Sequence, residues 1–251
     1  MSENMKKNNG FSLIELSIII AVFATLLTSL LAAGRIDNES ENVQEVEKRL
    51  FEIEKALEFF QKANGYLPCP ASRTAAYGTA SYGVSVDCSA ATAAAAPAGT
   101  ANLGTGAGDA YQVRVGAIPT RTLGISDEAG LDPWGNRLTY MVIRSLGVDS
   151  ATYTAFSTTQ TTDLFQIVNR ASTVIYGTTN AQIVKYAIVS HGSDGKGAYN
   201  KNGILGVACS TTSAERENCN NTKNVMLDGI NDIVATSNAT YFNDFVRFRP
   251  K

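Results

Sequence analysis

Lys6-Lys7-Asn8-Asn9-Gly10-Phe11-Ser12-Leu13-Ile14-Glu15-Leu16 opens the stretch that decides how this chain is organised. From Phe11 the sequence stays apolar as far as Ala33, and Glu15 is the single charge in those 23 residues. At about 1.5 Å per helical residue they reach roughly 35 Å, enough to cross a bilayer core of about 30 Å. Lys6 and Lys7 precede the stretch; Arg35, Asp37, Glu39 and Glu41 follow it. Positive charge favours the cytoplasmic side, so residues 11–33 are expected to span once, with the N-terminus inside and the bulk exported.

A secretory signal peptide would also be basic and then apolar, but with a shorter apolar core and a small-residue cleavage site after it. Leu31-Ala32-Ala33-Gly34 fits such a site loosely. Glu15 argues the other way. A carboxylate inside an apolar helix costs about 2.5 to 3.5 kcal/mol near the centre, less near an edge, and an export signal has no use for it. The plainer reading is that Glu15 reaches back to the interface.

Gly10-Phe11-Ser12-Leu13-Ile14-Glu15-Leu16 resembles the prepilin signal of type IV pilins and of the pseudopilins of type II secretion. The resemblance covers residues 6 to about 33. It implies cleavage after Gly10 by a prepilin peptidase on the cytoplasmic face, N-methylation of the new terminal Phe11, and a role for Glu15 in assembly. It implies an inner-membrane protein with a periplasmic C-terminal domain. Its partners would be other pilin or pseudopilin subunits, in a filament into which the chain is extracted. An unpaired buried charge is expensive, so Glu15 of one subunit facing the Phe11 amine of another could set the register.

Beyond the apolar stretch, Val43, Val46, Leu50, Ile53, Leu57 and Phe60 recur at steps of three and four, which predicts an amphipathic helix over residues 38–62. No proline lies between Phe11 and Leu67, so one helix of roughly 50 residues can run through both segments. Asn64-Gly65 marks its end. Residues 71–110 carry few apolar clusters and read as a long loop with a short helix at 90–96. Alternation and β-branched content predict strands at 111–115, 137–144, 164–168, 173–176, 182–189 and 241–248. No helical crossover separates them, so the sheet should be mainly antiparallel and the fold α+β. That is the pilin-like architecture the resemblance implies. The expected organisation is a leader at 1–10, a membrane and assembly segment at 11–33, an amphipathic helix at 34–64, a loop region at 65–110 and a β-rich domain at 111–251.

Four cysteines in an exported domain favour disulfides. Local pairing, Cys69 with Cys88 and Cys209 with Cys219, closes two weakly held loops. A long bridge between the two regions is the alternative. Metal binding comes third, because no Cys-x-x-Cys occurs.

Lys and Arg number 21 against 23 Asp and Glu, so no basic excess supports nucleic-acid binding. Ser190-His191-Gly192-Ser193-Asp194-Gly195-Lys196-Gly197 puts a hydroxyl, the only imidazole and a carboxylate within five residues. A catalytic triad usually draws its members from separated parts of a chain, so a glycine-rich turn is the better reading, and the chain is expected not to be an enzyme. Asp132-Pro133-Trp134-Gly135-Asn136 followed by Ser193-Asp194-Gly195 is similar to the major pseudopilin of type II secretion, a subfamily that binds calcium in its C-terminal loops. Asp194, Asp228 and Asp232 are the oxygen donors such a site would use. The rival from another class is a membrane-anchored periplasmic enzyme or binding protein that keeps its signal anchor.

Overall fold

The computed structural model describes residues 12–89, 96–103, 113–156, 166–178, 182–209, 211, 214–220, 222, 224–227 and 242–250, and their side chains except at 28–38 and 155. The chain divides into two units, one ending at Val43 and one comprising Gln44–Lys251. Helix α1, Leu13–Asn64, begins in the first and ends in the second.

Within the second unit the stripe read from sequence becomes a buried face. Val46, Leu50, Ile53 and Leu57 are buried, and Phe60 meets the edge of Tyr66 at 5.6 Å between ring centroids. Burying each large aliphatic side chain is worth about 1.5 to 3 kcal/mol relative to leaving it in water. The helix stops where expected. Gly65 takes φ +79° and donates its N–H to Gln61 O at 2.8 Å, the left-handed C-terminal turn that a Cβ would oppose.

Strands β1 (Ala101–Leu103), β2 (Val113–Ala117), β3 (Thr139–Ile143), β6 (Val184–Ser190) and β8 (Phe245–Pro250) form a five-stranded sheet in that spatial order. Every neighbouring pair is antiparallel. Side chains alternate across it. On one face Val113, Val115, Met141, Ala187 and Val189 pack with Ile167 and Val225. Those two residues belong to a second sheet, ordered β5 (Val174–Tyr176), β4 (Gln166–Val168), β7 (Asn224–Met226). The opposite face of the large sheet carries Arg114, Tyr140, Val142, Tyr186 and Ile188, by the same alternation. There α1 is held by two ion pairs to β8: Glu47 with Arg247, and Glu58 with Arg249 at 2.9 Å. The unit is thus helix on sheet on sheet, an α+β arrangement.

All six expected strands fall on observed ones, with ends shifted by a few residues. The antiparallel expectation holds for the large sheet, whereas β4 and β7 pair in parallel. A parallel partner needs a connection of a dozen residues or more, and the chain between them supplies it while also forming β5 and β6. The loop expected over residues 71–110 needs correction. It contributes β1 to the sheet, and Ala71 exchanges two backbone hydrogen bonds with Ala117, each 2.8 Å. Its order comes from backbone pairing rather than apolar clusters, which is why hydrophobicity did not reveal it. The helix expected at 90–96 falls, apart from Ala96, outside the described residues.

Candidate functional site

Ser12 and Glu15 close the start of α1 on each other. The Ser12 N–H donates to Glu15 Oε2 at 2.8 Å, and the Glu15 N–H donates to Ser12 Oγ at 3.3 Å. This reciprocal capping box satisfies backbone donors that a helix start otherwise leaves unpaired. The spacing Ser-x-x-Glu is that of a capping box and is present in the sequence itself. Gly10 and Phe11 lie outside the described residues.

Every described side chain from Ser12 to Leu27 is exposed, with Leu13 at 87%. The segment is apolar on all sides, and its hydroxyls turn inward: Ser17 Oγ donates to Ile14 O and Thr25 Oγ1 to Val22 O, both at 2.8 Å. A helix that is hydrophobic all round belongs in an apolar environment. Among the described residues no helix is long and apolar enough to cross a membrane. The span expected at residues 11–33 includes Phe11 and the side chains after Leu27, where the description stops.

Both cysteine pairs are local disulfides, Cys69–Cys88 with Cα atoms 5.9 Å apart and Cys209–Cys219 with 5.5 Å. That excludes the long bridge and the thiolate metal site. Gly147 makes room for the first: a Cβ there would stand 3.0 Å from Cys88 Sγ and 3.1 Å from Cys69 Sγ.

The glycine-rich turn does not assemble a triad, because its three reactive residues engage three different partners. Ser190 Oγ donates to Asp132 Oδ2 at 3.1 Å. His191 Nε2 lies 2.8 Å from Thr139 Oγ1. Asp194 pairs with Lys196 at 2.6 Å. His191 is buried and its pKa falls to about 4, chiefly because burial penalises the charged ring. Asp132 is buried at the base of the Asp132–Asn136 turn. Its Oδ1 accepts from the N–H groups of Trp134 at 3.1 Å and Asn136 at 2.8 Å, and burial lifts its pKa to about 6. Trp134 stacks on Phe245 with centroids 6.2 Å apart.

Of the expected calcium donors, Asp194 is described, and Asp228 and Asp232 lie outside the described residues. Lys196 bridges Asp194 and Glu215, the latter at 3.2 Å. Beside them the buried Asp244 accepts from Asn218 Nδ2 at 2.8 Å. Burial, helped by neighbouring carboxylates, raises the pKa of both Glu215 and Asp244. Among the described residues no three His, Cys, Asp or Glu side chains are grouped to hold a metal ion. Glu215 and Asp244 were missed because they come from segments remote from the glycine-rich turn in sequence. A cavity of about 410 Å³ lies between Arg49, Leu131, Asp132, Pro133 and Asn200. On its wall Arg49 Nη1 donates to Leu131 O at 2.6 Å.

Comparison with known proteins bears on the start of α1. Residues 5–31 match the family model described as the prokaryotic N-terminal methylation motif, which is the type IV pilin/pseudopilin signal. Comparisons with curated proteins and with solved structures find no match for the chain. The motif points to a structural, pilin-like subunit rather than an enzyme.

Proposed function

We propose that this chain is a subunit of a type IV pilus-like or type II secretion filament, made as a precursor and polymerised through the first part of α1. The methylation motif over residues 5–31 carries this reading. A prepilin peptidase cuts after Gly10, and the new N-terminal Phe11 is methylated. Residues 11–33 then hold the subunit in the inner membrane, with the N-terminus cytoplasmic and the β-rich domain periplasmic, until it is drawn into the filament. The fold is read as pilin-like.

The apolar segment supports the assembly step. Its described side chains are exposed on every side and its hydroxyls are spent on its own backbone, so lipid or the helices of neighbouring subunits are its fitting surroundings. Cleavage places a charged amine at Phe11, one residue before the Ser12–Glu15 cap. Glu15 then has two uses: it caps its own helix, and it offers a carboxylate to the Phe11 amine of a neighbour.

The test is the mass of the N-terminal peptide of the mature protein. The expected result is a peptide beginning at Phe11 and carrying one methyl group. An intact Met1, or cleavage near Gly34, would support a membrane-anchored enzyme or binding protein and overturn the assignment. Gly10→Val should block processing, since a peptidase working at that bond leaves little room for a branched side chain.

A further inference from the structure

The cavity that Arg49 lines lies wholly in the second unit, between α1, the turn at residues 132–136 and the turn at residues 200–203. Its volume of about 410 Å³ falls within the range of about 300 to 1,000 Å³ usual for small-ligand sites. Its walls are tied down by internal bonds. The buried Arg137 donates to Asn200 O at 3.0 Å and to Lys201 O at 2.9 Å. The same guanidinium donates to Ser72 O at 3.0 Å and to Ala75 O, so it joins two remote segments. Asn200 Oδ1 accepts from the N–H groups of Asn202 at 2.9 Å and Ile204 at 3.2 Å. Opposite them, the Asp132 carboxylate is spent on Trp134, Asn136 and Ser190. Walls held in place without a ligand leave little to be ordered when one binds.

What these bonds leave over is hydrogen-bonding capacity around the cavity. Among the described residues the Lys201 amine, the Asn202 side-chain amide and Asn200 Nδ2 have no hydrogen-bond partner. Glu128 adds a carboxylate acceptor. Tyr77 stands beside this group: its N–H donates to Lys201 O at 2.9 Å, and its hydroxyl donates to Glu128. The Tyr77 ring meets Tyr82 edge to face with centroids 5.1 Å apart, yet Tyr77 stays 43% exposed. The charges balance. Arg49 and Lys201 are offset by Glu128 and Asp132, so the cavity carries no net charge to hold an ion. Donors and acceptors beside an exposed aromatic ring suit a neutral molecule with an apolar face and polar edges. A pyranose ring is such a molecule: its axial C–H groups can lie on an aromatic plane while its hydroxyls point sideways.

We propose that this cavity binds a neutral saccharide, with one sugar ring resting on Tyr77 and its hydroxyls held by Glu128, Asn200, Lys201 and Asn202. The proposal does not depend on the filament reading, because every residue it uses lies in the second unit. Tyr77 supplies most of the contact area, and the polar side chains select the orientation of the ring.

Saturation-transfer NMR on the full-length chain in phosphocholine micelles tests this, with chitotriose, maltotriose and cellotriose as separate probes. The expected result is transfer to at least one of them, strongest at the C–H protons of a single ring. Tyr77→Ala should weaken binding of that probe about tenfold, the loss typical of truncating an aromatic anchor. Tyr77→Phe should cost about fivefold or less, because the ring remains and one hydrogen bond is lost. Should Tyr77→Ala fail to fold, Lys201→Ala with Asn202→Ala carries the same test at two exposed positions, again with about a tenfold loss. Phe59→Ala, at an aromatic residue 79% exposed on α1, should leave binding unchanged. No transfer to any of the three sugars would overturn the proposal, as would equal binding by the parent chain and by Lys201→Ala with Asn202→Ala. Displacement of the bound sugar by inorganic phosphate would make this an anion site and overturn it too.

Discussion

Residues 12–27 and residues 44–64 belong to one continuous helix, yet they meet opposite surroundings. In the earlier stretch every described side chain is exposed, whatever face it occupies. In the later stretch Val46, Leu50, Ile53 and Leu57 are buried, and the remaining faces carry charged residues together with the exposed Phe51 and Phe59. Helix propensity does not distinguish them, since both lack proline and both are rich in good helix formers. What distinguishes them is whether the chain supplies its own apolar partner. The later stretch has a sheet to pack against, while the described side chains of the earlier one are exposed and, on the function proposed above, are covered by lipid or by other subunits.

The largest expected effect breaks the earlier stretch. Glu15→Leu should leave processing intact, and insertion should become easier as a costly carboxylate is removed. Assembly should fail, because the Phe11 amine of an incoming subunit would lose its counter-charge. Breaking one side of a buried ion pair costs about 3 to 5 kcal/mol. The check is crosslinking of neighbours in membranes: oligomers as abundant as those of the parent would show that the carboxylate serves only as a helix cap.

Leu50→Ala probes the later stretch. Leu50 is fully buried, so its truncation should destabilise the β-rich unit by about 2 to 5 kcal/mol, measured by denaturant unfolding. The matched change Leu16→Ala, at an exposed position, should alter the same transition by about 0.5 kcal/mol or less. Comparable losses at the two positions would dissolve the contrast.

Acid sharpens it further, because two buried titrating groups of the β-rich unit oppose each other. The folded pKa of His191 is about 4, below the ordinary 6.5. The unfolded chain therefore takes up that proton first, and stability falls as pH drops from 6.5 to 4. The folded pKa of Asp132 is about 6, above the ordinary 3.8. The folded chain takes up that proton first, and stability rises as pH drops through 6. Each contribution amounts to about 3 kcal/mol at about 1.4 kcal/mol per pKa unit. Glu215 and Asp244, both raised, act in the same direction as Asp132. Asp132→Asn should therefore steepen the loss of stability below pH 6, and His191→Gln should remove it. Denaturant midpoints measured between pH 4 and 7 check both signs.

Ser12→Ala gives the smallest effect. It removes one half of the capping box and should cost about 0.5 to 2 kcal/mol of helix stability at the first turn, read as faster amide exchange there. Exchange near Leu50 should not change.

Sequence periodicity located much of this fold. The three-and-four stripe ending at Asn64-Gly65 and the six expected strands each found their element. It missed β1, Ala101-Asn102-Leu103, which has no β-branched or aromatic residue, and β7, Asn224-Val225-Met226, which has one. The methylation motif was legible for a different reason: a carboxylate inside an apolar run is chemically unusual wherever it occurs. The capping role of Glu15 was equally present in the spacing, but only coordinates show which partner a side chain takes.

The sequence by itself determined the apolar entry segment, the helix that follows it, and the α+β composition, because these depend on the order of residues along a few turns. The tertiary structure alone decided which cysteines meet, that Lys196 lies between Asp194 and Glu215, and that Ser190, His191 and Asp194 part company. Those outcomes join residues distant in the chain, and their energies depend on distance and burial, which no local pattern encodes.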